Sequence, residues 1–400
     1  MDKITRRRRL VVGLGAIAAG AVVAVLPMVH ANAVATTSRV AGSDRYGTAA
    51  ALSAQSFSPG VPVAYIATGA DFPDALAAAP VAAKGGGPVL LTQANVIPSA
   101  TATELGRLKP AKIIVLGGTS SVSTGVENGL KPYTTGTVTR IQGADRYATA
   151  AALSAATYTA GVNTVYVASG QSFPDALSGG PAAATSPSGG GPLLLVQAGA
   201  IPTSTSTELQ RLGAQKVIVL GGTSSVSDGV VTALDPFSVD PVVRRAGADR
   251  YLTSVAISAA SFTSASKVYL ATGTDFPDAL AGGPVAGVFH GPVLLTPMNC
   301  LTPEVSAEIT RLNPDFIYVL GGTSSVSDAV LSRTVCVAST TTSSSTTSTT
   351  AHPGTVVNGD MCSTVGATGV TSGGTPETCQ TAGCMGGPYN PGPRWRQTTC

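Results

Sequence analysis

Charged residues make up only 11% of this 400-residue chain and aromatic residues 5%, and it contains three histidines and one tryptophan. Each shortage removes a class of function. His30 lies in an N-terminal apolar run, His352 in a Ser/Thr-rich stretch, and only His290 within the body of the chain, so a histidine-ligated zinc hydrolase site cannot be assembled. Neither a G-x-S-x-G elbow nor a Walker-type loop occurs, and nothing else in the sequence asks for a metal or cofactor. A broad basic face is missing as well. Residues 1–33 hold Lys3, Arg6 to Arg9 and Asp2, so without them the 24 basic and 21 acidic residues become 19 and 20. The listless charge balance of what remains argues against nucleic acid as a partner.

Those first 33 residues read as a secretory signal. Lys3 and the arginines form a positive leader, Leu10 to Val29 an apolar run, and Ala31-Asn32-Ala33 a small-x-small cleavage site, which predicts a mature chain from near Val34 with no membrane span. The run is long enough for an anchor, but the cleavage site favours removal.

What the chain has in plenty is itself, three times. Phe72-Pro73-Asp74-Ala75-Leu76 returns at Phe173 to Leu177 and at Phe276 to Leu280, with Asp74, Asp175 and Asp278 spaced 101 and 103 residues apart. R-x-x-G-x-D-R-Y opens each copy at Arg39, Arg140 and Arg244. Gly-Gly-Thr-Ser-Ser-Val-Ser closes it at Gly117, Gly221 and Gly321, and Gly-Pro before an apolar run stands between at Gly87, Gly191 and Gly291. A period of about 100 residues is the size of a domain rather than of a stacked solenoid unit.

One copy predicts alternating helices and strands. Asp44 is suited to cap a helix over Gly47 to Phe57; Val63 to Ala67, Val89 to Thr92 and Lys112 to Leu116 are short apolar strands. Helices are expected from Pro73 through Lys84, from Ile97 to Leu108 and from Val122 to Leu130, with Gly85 to Pro88 stopping the first of these. Val138 to Ile141 leads into the next copy. Continuous apolar strands separated by helices predict a parallel sheet covered on both faces, an α/β unit of doubly wound type.

The four motifs in fixed order, in three copies across roughly residues 39 to 336, resemble the type 2 cell wall-binding repeat of Gram-positive surface proteins. That resemblance implies three Rossmann-like or Toprim-like units about a pseudo-threefold axis, and a non-catalytic anchor held on an anionic cell wall polysaccharide, teichoic-acid-like or otherwise phosphate-bearing. Alternatives are a wall hydrolase, amidase or glycosidase, because such repeats accompany those enzymes, and a surface-layer structural protein. The expected organisation is a signal (1–33), repeats at 34–139, 140–243 and 244–337, a Ser/Thr-rich linker (338–355) and a small module (356–400).

Individual motifs admit two readings each. Arg39, Arg45, Arg140, Arg146, Arg244 and Arg250 suit bidentate phosphate contacts, or internal Arg–Asp pairs. Gly118-Thr119-Ser120, Gly222-Thr223-Ser224 and Gly322-Thr323-Ser324 follow a strand and precede a helix, where free amides bind anions or simply make a tight turn. Asp74, Asp175 and Asp278 fit helix N-terminal electrostatics better than catalysis, since Asp71 and Asp275 pair with them in two copies while the middle copy has Ser172.

Six cysteines in an exported chain imply disulfides. Cys300 and Cys336, the two within the repeats, are expected to pair. Cys362, Cys379, Cys384 and Cys400 would hold the tail, which has too few apolar residues for a core of its own and resembles short C-terminal modules of actinobacterial secreted proteins. Trp395, between Arg394 and Arg396, stacks on a sugar or closes that module.

Overall fold

The computed structural model describes residues 35–185 and 190–337, together with the backbone of four short strands between 355 and 397. The N-terminal signal and the pairing of the four tail cysteines lie outside the described residues.

The first repeat runs β1 (Thr36–Val40), α1 (Arg45–Ser56), β2 (Ala64–Thr68), α2 (Ala78–Gly85), β3 (Val89–Thr92), α3 (Ser99–Leu108), β4 (Ile113–Leu116) and α4 (Thr124–Gly129). The second follows as β5 (Val138–Ile141), α5 (Arg146–Thr157), β6 (Thr164–Ser169), α6 (Pro174–Thr185), β7 (Leu193–Val196), α7 (Thr203–Leu212), β8 (Lys216–Leu220) and α8 (Asp228–Leu234). The third is β9 (Val243–Arg245), α9 (Arg250–Ser261), β10 (Lys267–Thr272), α10 (Pro277–Val288), β11 (Val293–Thr296), α11 (Pro303–Leu312), β12 (Phe316–Leu320) and α12 (Asp328–Leu331). Asp44, Asp145 and Asp249 cap α1, α5 and α9, each accepting from the amide three residues on, which satisfies one of the orphan donors of the first turn.

Three four-stranded sheets result, in the orders β3-β2-β4-β5, β7-β6-β8-β9 and β11-β10-β12-β1, with every pairing parallel. Strands β2, β3, β4, β6 and β7 are largely apolar and buried along their whole length, as expected where helices cover both faces. The fourth strand of each sheet comes from the next repeat. β5 is thus not a lead-in but the edge of the first sheet, and β9 does the same for the second. The third sheet is completed by β1, with Thr36 opposite Phe316 and Val40 opposite Leu320, so the chain closes into a ring of three.

Around the pseudo-threefold axis α2, α6 and α10 pack on one another. They come close because small residues face the axis: a Cβ added to Gly180 would stand 2.6 Å from the Cβ of Ala79, so only one of these two helices can carry a methyl there. The helix expected from Pro73 starts at Ala78 in the first repeat. Its preceding turn uses three-residue bonds, Ala75 N to Phe72 O and Ala78 N to Ala75 O, whereas Leu177 and Leu280 make four-residue bonds to Phe173 and Phe276 and extend α6 and α10 to their prolines.

Cys300 and Cys336 form a disulfide, Cα atoms 5.0 Å apart, tying the end of the third repeat to the loop after β11. The tail forms a separate unit, a sheet ordered β13 (Thr355–Val356), β14 (Thr368–Thr371), β15 (Pro376–Gln380), β16 (Arg394–Gln397), with β13 and β14 parallel and the remaining pairings antiparallel. No helix among the described residues is long and apolar enough to cross a membrane.

Candidate functional site: three clefts between repeats

The recurring motifs converge at three places, each shared by two repeats. One wall is the Phe-Pro-Asp turn and the Gly-Gly-Thr-Ser-Ser turn of one repeat; the other is the Asp-Arg-Tyr helix start of the next. The cleft between the second and third repeats, about 350 Å³, brings together Ser172, Asp175, Gly222, Ser224 and Arg250. That between the third and first, about 400 Å³, brings together Asp275, Asp278, Ser324, Arg45 and Thr48.

At the back of each cleft lies the aspartate, and in two of the three it bolts neighbouring repeats together. Ser121 Oγ donates to Asp74 Oδ2 at 2.6 Å from the same repeat, and Thr149 Oγ1 donates to Oδ1 at 3.1 Å from the next. Asp175 accepts from Ser225, and Asp278 from Ser325 and, across the boundary, Thr48. Gly221, at φ +100°, lies against this carboxylate: a Cβ there would stand 2.2 Å from Asp175 Oδ2. Burial pushes the Asp175 and Asp278 carboxyls up from the usual range; the serine hydrogen bonds oppose that shift, and Asp275 adds to it at Asp278. The motifs singled out in the sequence do not include this threonine, although D-R-Y-x-T at Thr48, Thr149 and Thr253 repeats without exception.

The six motif arginines separate into two sets. Arg39, Arg140 and Arg244, on the strands β1, β5 and β9, turn inward to the neighbouring repeat, donating to the carbonyls of Gly321, Gly117 and Gly221 at 2.7 Å each. They also pair with Asp328, Glu127 and Asp228 at 2.9, 2.7 and 3.0 Å, and Arg140 and Arg244 donate in addition to the carbonyls of Val122 and Val226. They fasten each donated strand to the turn beside it. Arg45 and Arg250 instead line the clefts, and Arg146 holds the equivalent place beside Phe72. One terminal nitrogen of each donates to the carbonyl of Gly69, Gly170 or Gly273. The guanidinium of Arg45 lies 5.6 Å from the Phe276 ring centre, and that of Arg146 5.8 Å from Phe72. Phe72, Phe173 and Phe276 themselves meet on the axis, ring centroids 5.6, 5.6 and 6.1 Å apart. Asp44 pairs with neither arginine set, being occupied as a cap.

Above each bolt the turn is tight. The amides of Ser121 and Val122 both donate to Gly118 O, as do those of Ser225 and Val226 to Gly222 O and of Ser325 and Val326 to Gly322 O. Among the described residues the amides of Gly118, Thr119 and Ser120, and of their counterparts at 222–224 and 322–324, have no protein acceptor. The side chains of Thr119, Ser120, Thr223, Ser224, Thr323 and Ser324 are exposed. No cluster of potential metal ligands occurs among the described residues.

A family profile described as "Cell wall binding domain 2 (CWB2)" matches residues 39–127, 140–231 and 244–331. N-acetylmuramoyl-L-alanine amidase LytC of Bacillus subtilis (strain 168) is 30% identical over 295 residues, 74% of this chain and 57% of that protein. The amidase enhancer of the same strain is 32% identical over 299 residues, 74% of this chain and 40% of that protein. The chain therefore spans about half the length of these curated relatives. Among solved structures, Cwp6 from Clostridium difficile superposes with a TM-score of 0.67 at 25% identity, covering 75% of this chain and 48% of that one. Cwp8 from the same organism shares the fold, with a TM-score of 0.66 at 24% identity, covering 74% and 50%.

Proposed function

Because this chain belongs to the cell wall binding domain 2 family, and is on that ground a wall-binding protein, we propose that it is a non-catalytic anchor whose three repeats jointly hold an anionic, phosphate-bearing wall polymer outside the cell. The observation that carries this reading is the threefold cleft, in which Arg45, Arg146 or Arg250 stands beside a turn with unpaired amides and exposed hydroxyls. A guanidinium fork and a concave set of amides both suit phosphate oxygens. Three weak sites on one compact unit also suit a polymer, since linkage raises avidity over single-site affinity on the order of 10² or more. A hydrolase reading would need a carboxylate free to move a proton. Asp74 instead accepts two hydroxyl hydrogen bonds that hold neighbouring repeats together.

The test is sedimentation of the full chain with Gram-positive walls before and after removal of their phosphate-bearing polymers. Retention is expected only on untreated walls, and replacing Arg45, Arg146 and Arg250 together by Gln should abolish it. Equal retention on stripped walls would refute the polymer, and release of soluble wall fragments that is lost with Asp175→Asn would convert the reading to a hydrolase.

A further inference from the structure

The clefts share a plan but not a charge, and among the residues that line the two described above the charge differs at one position. Asp71, Ser172 and Asp275 are equivalent, each directly before the phenylalanine of the axial triad. In the cleft between the third and first repeats, Asp275 Oδ2 stands 3.8 Å from Arg45 Nη2, so the cation that would meet an anion already faces a carboxylate at the cleft mouth. That carboxylate is half exposed and accepts the amide of Phe276, which fixes it in place. Asp71 is held the same way by the amide of Phe72 and is exposed, but no carboxylate oxygen lies within 4 Å of Arg146 among the described residues. In the cleft between the second and third repeats the position is Ser172. Gln171 beside it is neutral, its Oε1 accepting the amide of Ala198, and Arg250 is exposed with no ion pair among the described residues. Asp175 is the remaining acid facing Arg250; it lies at the back of the cleft, buried and bonded to Ser225. Asp249, next in sequence, is turned to the amide of Leu252 as a helix cap.

We infer that the cleft between the second and third repeats, centred on Arg250, is the strong subsite for a phosphate group, and that the residue before the axial phenylalanine sets the rank of the three, with Ser172 permitting and Asp275 opposing. This rests on the anionic-polymer reading above and adds which cleft does most of the gripping. An anion entering beside Asp275 meets a fixed like charge as well as the arginine. One close charge–charge contact in partly screened solvent corresponds to about a fivefold change in affinity. A polymer would thus be seized first at the Arg250 cleft and engage the others by proximity.

The fold itself supplies the test substitutions, since Ser172→Asp and Asp275→Ser each install a residue already carried at the equivalent position of another repeat. The Nε–H resonances of Arg45, Arg146 and Arg250, followed by NMR in the full chain while inorganic phosphate is added at low salt, report each cleft separately. Arg250 should respond at the lowest phosphate concentration and Arg45 at the highest, about fivefold or more apart. Ser172→Asp should weaken the Arg250 response about fivefold, and Asp275→Ser should strengthen that of Arg45 by a similar factor. Three resonances that titrate together, or swaps that leave their order unchanged, overturn the ranking while sparing the polymer reading. If none responds and untreated walls do not retain the chain, both fall.

Discussion

A carboxylate that accepts two hydroxyls from different repeats is a joint, and its protonation state is part of the joint's strength. Burial raises Asp278 above its ordinary value, so the fold prefers its neutral form. The cost of ionising it is absent at pH below the usual aspartate range, near 4, and grows as pH rises through the raised value. Asp278→Asn keeps one oxygen to accept and adds an amide that Thr48 or Ser325 can accept, with no charge to bury. Its melting temperature relative to the native chain should therefore rise from acid to neutral pH. A difference that stays flat, or falls, would show that the hydroxyl bonds outweigh burial. At this scale the sequence disclosed the helix-capping role of Asp44 but not the division among arginines. Arg39 and Arg45 stand six residues apart in one motif, and only the strand that carries Arg39 into the neighbouring sheet separates a fastener from a cleft residue.

Between elements, the same staple recurs in every repeat. Glu104, Glu208 and Glu308, each at most 5% exposed, accept a hydrogen bond from Ser53, Ser154 and Ser258 and are held by Arg107, Arg211 and Arg311 one turn on. Each arginine also donates to the carbonyl that ends the opposite helix, at Phe57, Tyr158 or Phe262. The staple locks α1 to α3, α5 to α7 and α9 to α11. Arg211→Ala leaves a buried carboxylate without its cation and should cost roughly 2 kcal/mol or more, whereas Ser154→Ala should cost about 1 kcal/mol. Chemical denaturation of the two variants measures the order, and a larger loss from Ser154→Ala would contradict it. The E-x-x-R spacing is plain in all three copies, yet without the partner serine it reads as an ordinary surface pair on a helix. The helices and strands themselves were legible from apolar runs and glycine stops. The late start of α2 was not, because the proline that opens α6 and α10 stands before α2 as well.

Over the whole molecule, periodicity revealed three units and concealed how they divide the sheets. A repeat has a period but no intrinsic phase, so nothing in the sequence says that its first strand belongs to the sheet before it. Removing residues 1–41 should leave the first two sheets complete and strip β12 of its outer neighbour. An uncovered parallel edge invites pairing with another chain, so the truncated protein should melt lower than the full chain and associate more strongly with increasing concentration in sedimentation velocity. A single excised repeat would carry one surplus strand and lack another. Retention assays on excised repeats would thus confound weak binding with incomplete sheets, and cleft-by-cleft substitution in the intact chain avoids that.

The pairing of Thr36 with Phe316 also orders events in time. A growing chain delivers β1 long before its partner β12, and the entropy of closing so long a loop is recovered only when the third repeat's sheet receives its strand. Until β12 arrives, β1 has no sheet to join and the Arg39 latch no turn to close on. The strand that opens the ring is thus the one that closes it, so a chain interrupted before β12 can finish two of the three repeat sheets but never the ring.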